Sequence, residues 1–182
     1  FMIGLISRLT DQKGLDLIAC VMDEICAEDV QFVILGTGDP KYENMFRHYA
    51  WKYQGRVSAN IYYSNELSHR IYGACDAFLM PSLFEPCGLS QLMSLRYGTV
   101  PIVRETGGLK DTVQAYNEYE STGTGFSFAN YNAHEMLGVI NYAKHIYYDK
   151  RREWNKIIDG GMAMDFSWNT SARKYEDLYR ML

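Results

Sequence analysis

An α/β fold, one parallel sheet with helices on both faces, follows from three features of this 182-residue chain. Short apolar runs recur at 1–6, 32–35, 57–63, 77–80, 100–103 and 125–128. Stretches with helical spacing lie between them, and strand alternating with helix is the pattern of βαβ units. The runs are apolar throughout, as strands covered on both faces are.

The first run ends in Ser7-Arg8-Leu9-Thr10-Asp11-Gln12-Lys13-Gly14, ahead of a helix with Leu15, Ile18, Met22 and Ile25 on one face. Thr10 as N-cap places Lys13 in the first turn. A cation there opposes the helix dipole by a few tenths of a kcal/mol, and Gly14 adds up to ~1 kcal/mol. A phosphate as the missing counter-charge explains both choices. A Lys13 pointing into water, with Arg8 paired to a surface carboxylate, explains them equally.

The second run ends at Gly36-Thr37-Gly38-Asp39-Pro40. The third glycine of a dinucleotide fingerprint is missing, so a plain strand-to-helix turn is expected. Met45, Tyr49 and Tyr53 mark the next helix face. The third run ends in Tyr62-Tyr63. Strand alternation sends the two rings to opposite faces, so at most one faces a cleft. A ring there can stack on a nucleobase for ~1–3 kcal/mol.

The run 77–80 leads into Pro81-Ser82-Leu83-Phe84-Glu85-Pro86-Cys87-Gly88-Leu89. A capping box from Ser82 to Glu85 is possible in spacing. Pro86 counts against it, because it would fall beyond the first helical position. A helix entering near Glu85-Pro86, with Leu89, Leu92, Met93 and Leu95 on its face, fits better. Glu85 then sits at the mouth, and the N–H groups of Cys87, Gly88 and Leu89 can meet an anion. The carboxylate would hydrogen-bond sugar hydroxyls or stabilise positive charge as a glycosidic bond breaks. The fifth run is followed by Glu105-Thr106-Gly107-Gly108, where glycine permits close approach to a phosphate or a tight turn.

Beyond residue 130 the chain is mainly helical. Met136, Leu137, Ile140, Ala143 and Tyr147 mark one helix, and Arg151 to Asp159 is another, ended by Gly160-Gly161. Thr170 to Leu182 forms a last helix, whose face of Ala172, Tyr175, Leu178, Tyr179 and Leu182 needs a cover. Ligands of open parallel sheets bind at the carboxyl ends of the strands. A site therefore belongs among loops 7–13, 36–40, 63–66, 81–88 and 104–108.

The chain is 47% hydrophobic and 22% charged, which suits one domain with a real core. A net charge of −4 argues against a nucleic-acid surface but leaves room for a small anion. No apolar run approaches a transmembrane span. The first is followed at once by Arg8 and lacks the basic start of a signal peptide, so it reads as a core strand of a fragment cut from a longer protein. Cys20, Cys26, Cys75 and Cys87 form no C-x-x-C pair, and His48, His69, His134 and His145 are scattered. No metal site is expected, and the cysteines are expected free.

Five blocks in order resemble those of bacterial glycogen synthases and plant starch synthases. They are Ser7-Arg8-Leu9-Thr10 with Gln12-Lys13-Gly14, Ser68-His69-Arg70-Ile71-Tyr72, Phe84 to Leu89 with Gln91-Leu92, Tyr97-Gly98-Thr99 with Pro101, and Thr106-Gly107-Gly108-Leu109 with Asp111-Thr112-Val113. Those enzymes are retaining glucosyltransferases in which two Rossmann-like domains face a cleft, the arrangement called GT-B. The resemblance implies that this chain is the C-terminal, donor-binding domain, with a Rossmann-like core over 1–130 and C-terminal helices over 131–182. The N-terminal acceptor domain is absent and is expected as a partner.

By the same resemblance the donor is ADP-glucose and the acceptor an α-1,4-glucan, with no further cofactor and no metal. Arg8 and Lys13 fall where the diphosphate is held. Tyr63 falls where adenine stacks, which chooses between the two tyrosines. Glu85 matches a glutamate near the donor glucose that is important for catalysis. Cys87, Gly88 and Leu89 offer N–H groups to sugar hydroxyls or phosphate, and Thr106, Gly107 and Gly108 match a loop for the distal phosphate. Asp11 stands where an aromatic is common, and Ser64-Asn65 where acidic residues are common. Met93 replaces a second glutamate found in related transferases. Bacterial cytoplasm or plant plastid stroma is the implied compartment, and the isolated domain is expected to bind ADP weakly and transfer little glucose. The alternatives are a GT-B transferase using a UDP- or GDP-sugar, and a non-catalytic nucleotide-sugar-binding module.

Overall fold

The computed structural model describes residues 1–27 and 29–181. Strand β1 (Met2–Ile6) leads through a single 3-10 turn to helix α1 (Leu15–Ala27), followed by β2 (Gln31–Leu35), α2 (Pro40–Lys52), β3 (Val57–Asn60), α3 (Asn65–Ala74), β4 (Ala77–Met80), α4 (Ser90–Tyr97), β5 (Val100–Arg104), α5 (Gly107–Thr112) and β6 (Phe126–Phe128). Three helices follow among the described residues: α6 (Ala133–Asp149), α7 (Arg151–Met162) and α8 (Trp168–Arg180). Among the described residues the six strands form one parallel sheet in the order β3-β2-β1-β4-β5-β6. Each apolar run of the sequence is a strand of this sheet.

The strands bury both faces, which is why they read as unbroken apolar runs. Ile3, Leu5, Phe32, Ile34, Ile102 and Phe126 point into the main core with α1, α2, α6 and α7. Met2, Ile6, Val33 and Leu35 point the other way, against Leu67, Ile71 and Cys75 of α3 and its C-cap. Trp154 of α7 is 1% exposed, and the rings of Phe1, Phe126 and Tyr147 surround it. Local chemistry starts several of the helices. Asp39 caps α2 by accepting from the Lys41 N–H, with Pro40 at the first helical position. Ser64 caps α3 by accepting from Leu67 N–H, and Asn132 caps α6.

Several helical details differ from the sequence-based expectation. The face of α1 is as expected. On α2 the fully buried pair is Tyr42 and Phe46, while Met45, Tyr49 and Tyr53 are half-buried beside the core. Helix α4 begins at Ser90, so Glu85-Pro86 lies in a loop and Pro86 is not at the first helical position. Its buried face is Gln91, Ser94 and Leu95, whereas Leu89 and Met93 are exposed, because polar side chains there tie α4 to its neighbours. Gly160 and Gly161 do not end α7 but lie inside it. Gly161 is buried where a Cβ would stand 2.7 Å from the Leu95 side chain, so its bareness lets α7 approach α4. α8 buries no side chain, and the exposed face expected of it carries Tyr175, Leu178 and Tyr179 beside Trp168; Leu182 lies outside the described residues. Among the described residues, no helix is long and apolar enough to cross a membrane.

Candidate functional site

The strand order reverses its direction of growth between β1 and β4. The loops leaving these two neighbours diverge there and open a crevice at their carboxyl ends. Residues 7–14 form one wall and 81–89 the other. The walls are stitched together, with Leu83 N–H donating to Gln12 O at 3.0 Å and Gln12 Nε2 donating to Phe84 O at 3.2 Å.

Gly14 is not the first-turn glycine that the spacing suggests. It ends the 3-10 turn Asp11–Lys13 at φ +70°, and α1 starts after it. A Cβ on Gly14 would stand 2.0 Å from Pro81 O, so glycine there serves both a left-handed turn and the contact of the two walls. Lys13 consequently points neither into water nor along α1. Its Nζ donates to Glu85 Oε2 at 2.6 Å, with the two side chains only 16% and 10% exposed. Ser82 Oγ donates to the same carboxylate oxygen at 3.2 Å. The pair lines a cavity of about 200 Å³ with Arg8, Gly88 and Leu89.

A second cavity, of about 340 Å³, adjoins the first and shares Ile6, Ser7, Arg8 and Ser90 with it. Tyr62, Tyr63, Ser64, Asn65, Tyr72 and Met93 also line it, and among the described residues its only charged lining residue is Arg8. Both tyrosines face it, contrary to the alternation argument. β3 stops at Asn60, and beyond a strand the two-residue periodicity no longer holds. Tyr63 is 87% exposed, a ring open to a planar partner. Arg8 is exposed, and among the described residues its guanidinium makes no hydrogen bond or ion pair, so it is not paired with a surface carboxylate. It stands at the junction of the two cavities. Asp11 lines neither cavity; it accepts from Tyr42 and pairs with Lys41, which hold its carboxyl below the usual range. Burial and that same bond push the Tyr42 hydroxyl up.

Among the described residues no acceptor faces the backbone N–H groups of Cys87, Gly88 or Leu89. Three successive open donors ahead of a helix suit an anion or a set of hydroxyls. Gln91 shapes this turn from below, its Nε2 lying 3.1 Å from the carbonyls of Cys87 and Gly88 and from Thr112 Oγ1. Cys87, Thr106, Gly107 and Gly108 line neither cavity. Gly108 N–H is already spent on Glu85 O and Pro86 O, at 3.1 and 3.2 Å. The glycine pair therefore packs directly beneath the glutamate loop, a role that composition alone did not suggest. Among the described residues no group of three His, Cys, Asp or Glu is placed to hold a metal ion.

The model of the glycosyl transferases group 1 matches residues 1–158. The chain belongs to this family. It is 80% identical, over its whole length, to a glycogen synthase of Lachnospira eligens and 57% identical, over 98% of its length, to one of Clostridium acetobutylicum. It is also similar to the catalytic domain of starch synthase IV from Arabidopsis thaliana, solved bound to ADP and acarbose, with a TM-score of 0.88, 35% identity and 99% of this chain covered. The chain spans 38%, 37% and 38% of those three relatives. The α/β fold with its parallel sheet is that of group 1 glycosyltransferases of GT-B architecture.

Sequence reasoning missed four contributors to this candidate site. Ser82 holds Glu85 by its side chain rather than as a helix cap. Tyr62 and Ser90 line the cavities. Gln12 bridges the walls, and its place in a polar turn opposite the glutamate loop shows only once β1 and β4 are known to be neighbours.

Proposed function

We propose that this chain is the donor-binding part of a retaining glucosyltransferase of the glycogen and starch synthase type, moving glucose from ADP-glucose to the non-reducing end of an α-1,4-glucan. The observation that carries the proposal is the Lys13–Glu85 pair at the switch point of the sheet, between a two-tyrosine cavity with Arg8 at its mouth and three open N–H donors. Adenine stacks on Tyr63, and Arg8 and Lys13 meet the diphosphate at the junction of the cavities. The glucose lies toward Glu85, where the N–H groups of Cys87, Gly88 and Leu89 bind its hydroxyls or the adjoining phosphate. Thr106 and Gly107, at the start of α5, serve the distal phosphate.

In the transfer step the bond from the anomeric carbon to the phosphate oxygen breaks, and its electron pair leaves with ADP. The acceptor hydroxyl attacks the same face of the sugar, and its proton passes to the departing phosphate oxygen. Lys13 and Arg8 stabilise the charge that develops on ADP. Glu85 stabilises the positive charge that develops on the sugar. The similarity to an ADP-bound starch synthase domain supports ADP as the nucleotide. Relatives more than twice as long as this chain support a second domain that brings the acceptor, and the apolar face of α8 (Trp168, Tyr175, Leu178 and Tyr179) is a surface for it.

Calorimetry of the 182-residue chain against ADP, UDP and GDP tests the donor. ADP is expected to bind at least tenfold more tightly than the other two, a difference of about 1.4 kcal/mol; equal or tighter binding of UDP or GDP refutes the ADP assignment. In the full-length protein, Glu85→Gln is expected to lower turnover about 100-fold or more while leaving ADP affinity within a few fold. Intact turnover with weakened ADP binding refutes the catalytic role and leaves a binding site.

A further inference from the structure

Arg104, the last residue of β5, lines neither cavity, yet it is tied to the loop that carries Glu85. Its Nη1 donates to Ser82 O at 3.2 Å and to Leu83 O at 3.0 Å. Its guanidinium carbon stands 5.5 Å from the centre of the Tyr131 ring, and the Tyr131 hydroxyl is in turn held by Asp16 of α1. Arg104 Nε is buried with no acceptor among the described residues, so the group is fixed by its two carbonyls and the ring. The Ser82 whose carbonyl it grips is the residue whose hydroxyl donates to the Glu85 carboxylate.

We infer that Arg104 is a positioning residue for the transfer reaction, setting the Glu85 carboxylate through the peptide groups of Ser82 and Leu83. The inference rests on the reading of Glu85 given above. The chemistry suits arginine in particular. One guanidinium nitrogen, Nη1, serves both carbonyls while the planar group lies over an aromatic ring, whereas a lysine ammonium has no such face. The bonds are charge-assisted and made to backbone, so they hold the loop itself rather than one rotamer. The Glu85 carbonyl also accepts from Gly108 N–H, so loss of Arg104 loosens one anchor of the loop and leaves another.

The test is a double-mutant cycle in the full-length protein, with Arg104→Met, which keeps the aliphatic stem, and Glu85→Gln. Arg104→Met alone is expected to lower kcat about 10- to 100-fold, as a carboxylate misplaced by a fraction of an ångström would, with ADP affinity within about twofold. In the Glu85→Gln background the same change is expected to cost less than about twofold, because the group it positions is gone. Arg104→Lys is expected to recover part of the turnover. A loss of equal size in both backgrounds overturns the inference, as does an unchanged kcat for Arg104→Met. If Arg104→Met does not fold, Arg104→Lys carries the cycle with the same two outcomes at smaller amplitude. Full turnover by Glu85→Gln alone contradicts the underlying functional reading instead, so the two failures are distinguishable.

Discussion

Gly107→Ala tests the packing of the glycine pair under the glutamate loop. Gly107 has φ +43°, and a Cβ added there would stand 2.2 Å from Glu85 O and 3.2 Å from Pro86 Cα. Ordinary contact requires the Glu85 backbone to retreat by roughly 1 Å, and no rotamer change can supply it because the obstacle is main chain. The left-handed conformation adds about 1–2 kcal/mol for a residue with a Cβ. For a domain of this size that lowers Tm by about 2–8 °C. A shift of about 1 Å at a catalytic group costs on the order of 100-fold in rate. Turnover of the full-length variant and a thermal melt of the 182-residue chain read the two effects separately. Turnover within about threefold of the parent, with a lowered Tm, would refute the idea that this contact sets the glutamate. An unchanged Tm as well would refute the contact itself. Gly138→Ala is the control. It lies exposed in α6 with open space around its Cβ, so it should stabilise by about 0.5–1 kcal/mol and leave turnover alone.

Tyr63→Ala should weaken ADP binding to the chain by ~1–3 kcal/mol, seen by calorimetry; an unchanged affinity removes adenine from this ring. Burial pushes the Cys26 thiol up to about 11 and the Cys75 thiol to about 12, whereas Cys20 and Cys87 are exposed. Iodoacetamide at pH 8 should therefore label Cys20 and Cys87 in the folded chain and spare the other two, as peptide mass spectrometry would show. The same shifts set a sign for alkaline stability. The unfolded thiols lose their protons near the ordinary value of 9 while the folded ones keep theirs. The native state thus binds more protons, and stability falls as pH rises from about 9 toward 11–12. A urea midpoint that rises over that range would contradict the burial of both thiols.

The strands were legible because a doubly covered parallel strand must be apolar at every position, and that constraint is written locally in Phe32-Val33-Ile34-Leu35 or Ala77-Phe78-Leu79-Met80. Arg8, Lys13 and Glu85 stood out as charged groups at strand ends, and all three line one cavity. The start of α4 was misplaced because Pro86 resembles a helix opener, while the glycine turn at Gly88, φ +74°, delays the helix to Ser90. The face of α4 was misjudged because hydrophobicity was taken to mark it, whereas Gln91 and Ser94 are buried by their hydrogen bonds. Gly160 and Gly161 were read as a stop because glycine often ends a helix, and only the proximity of Leu95 shows why a bare position is needed within one.

Residue order alone was enough for the class of fold, the edge of the sheet that carries the site, and the charged residues available there. These follow from short-range rules of burial and capping. Which groups meet was a matter of strand order. Lys13 and Glu85 are 72 positions apart, and they pair because β1 and β4 are neighbours at the switch point. The same non-local packing put Gly107 and Gly108 under Glu85 and laid Arg104 against Ser82 and Leu83. Contacts between loops on different strands depend on a geometry that the whole sheet creates, and no window of sequence contains it.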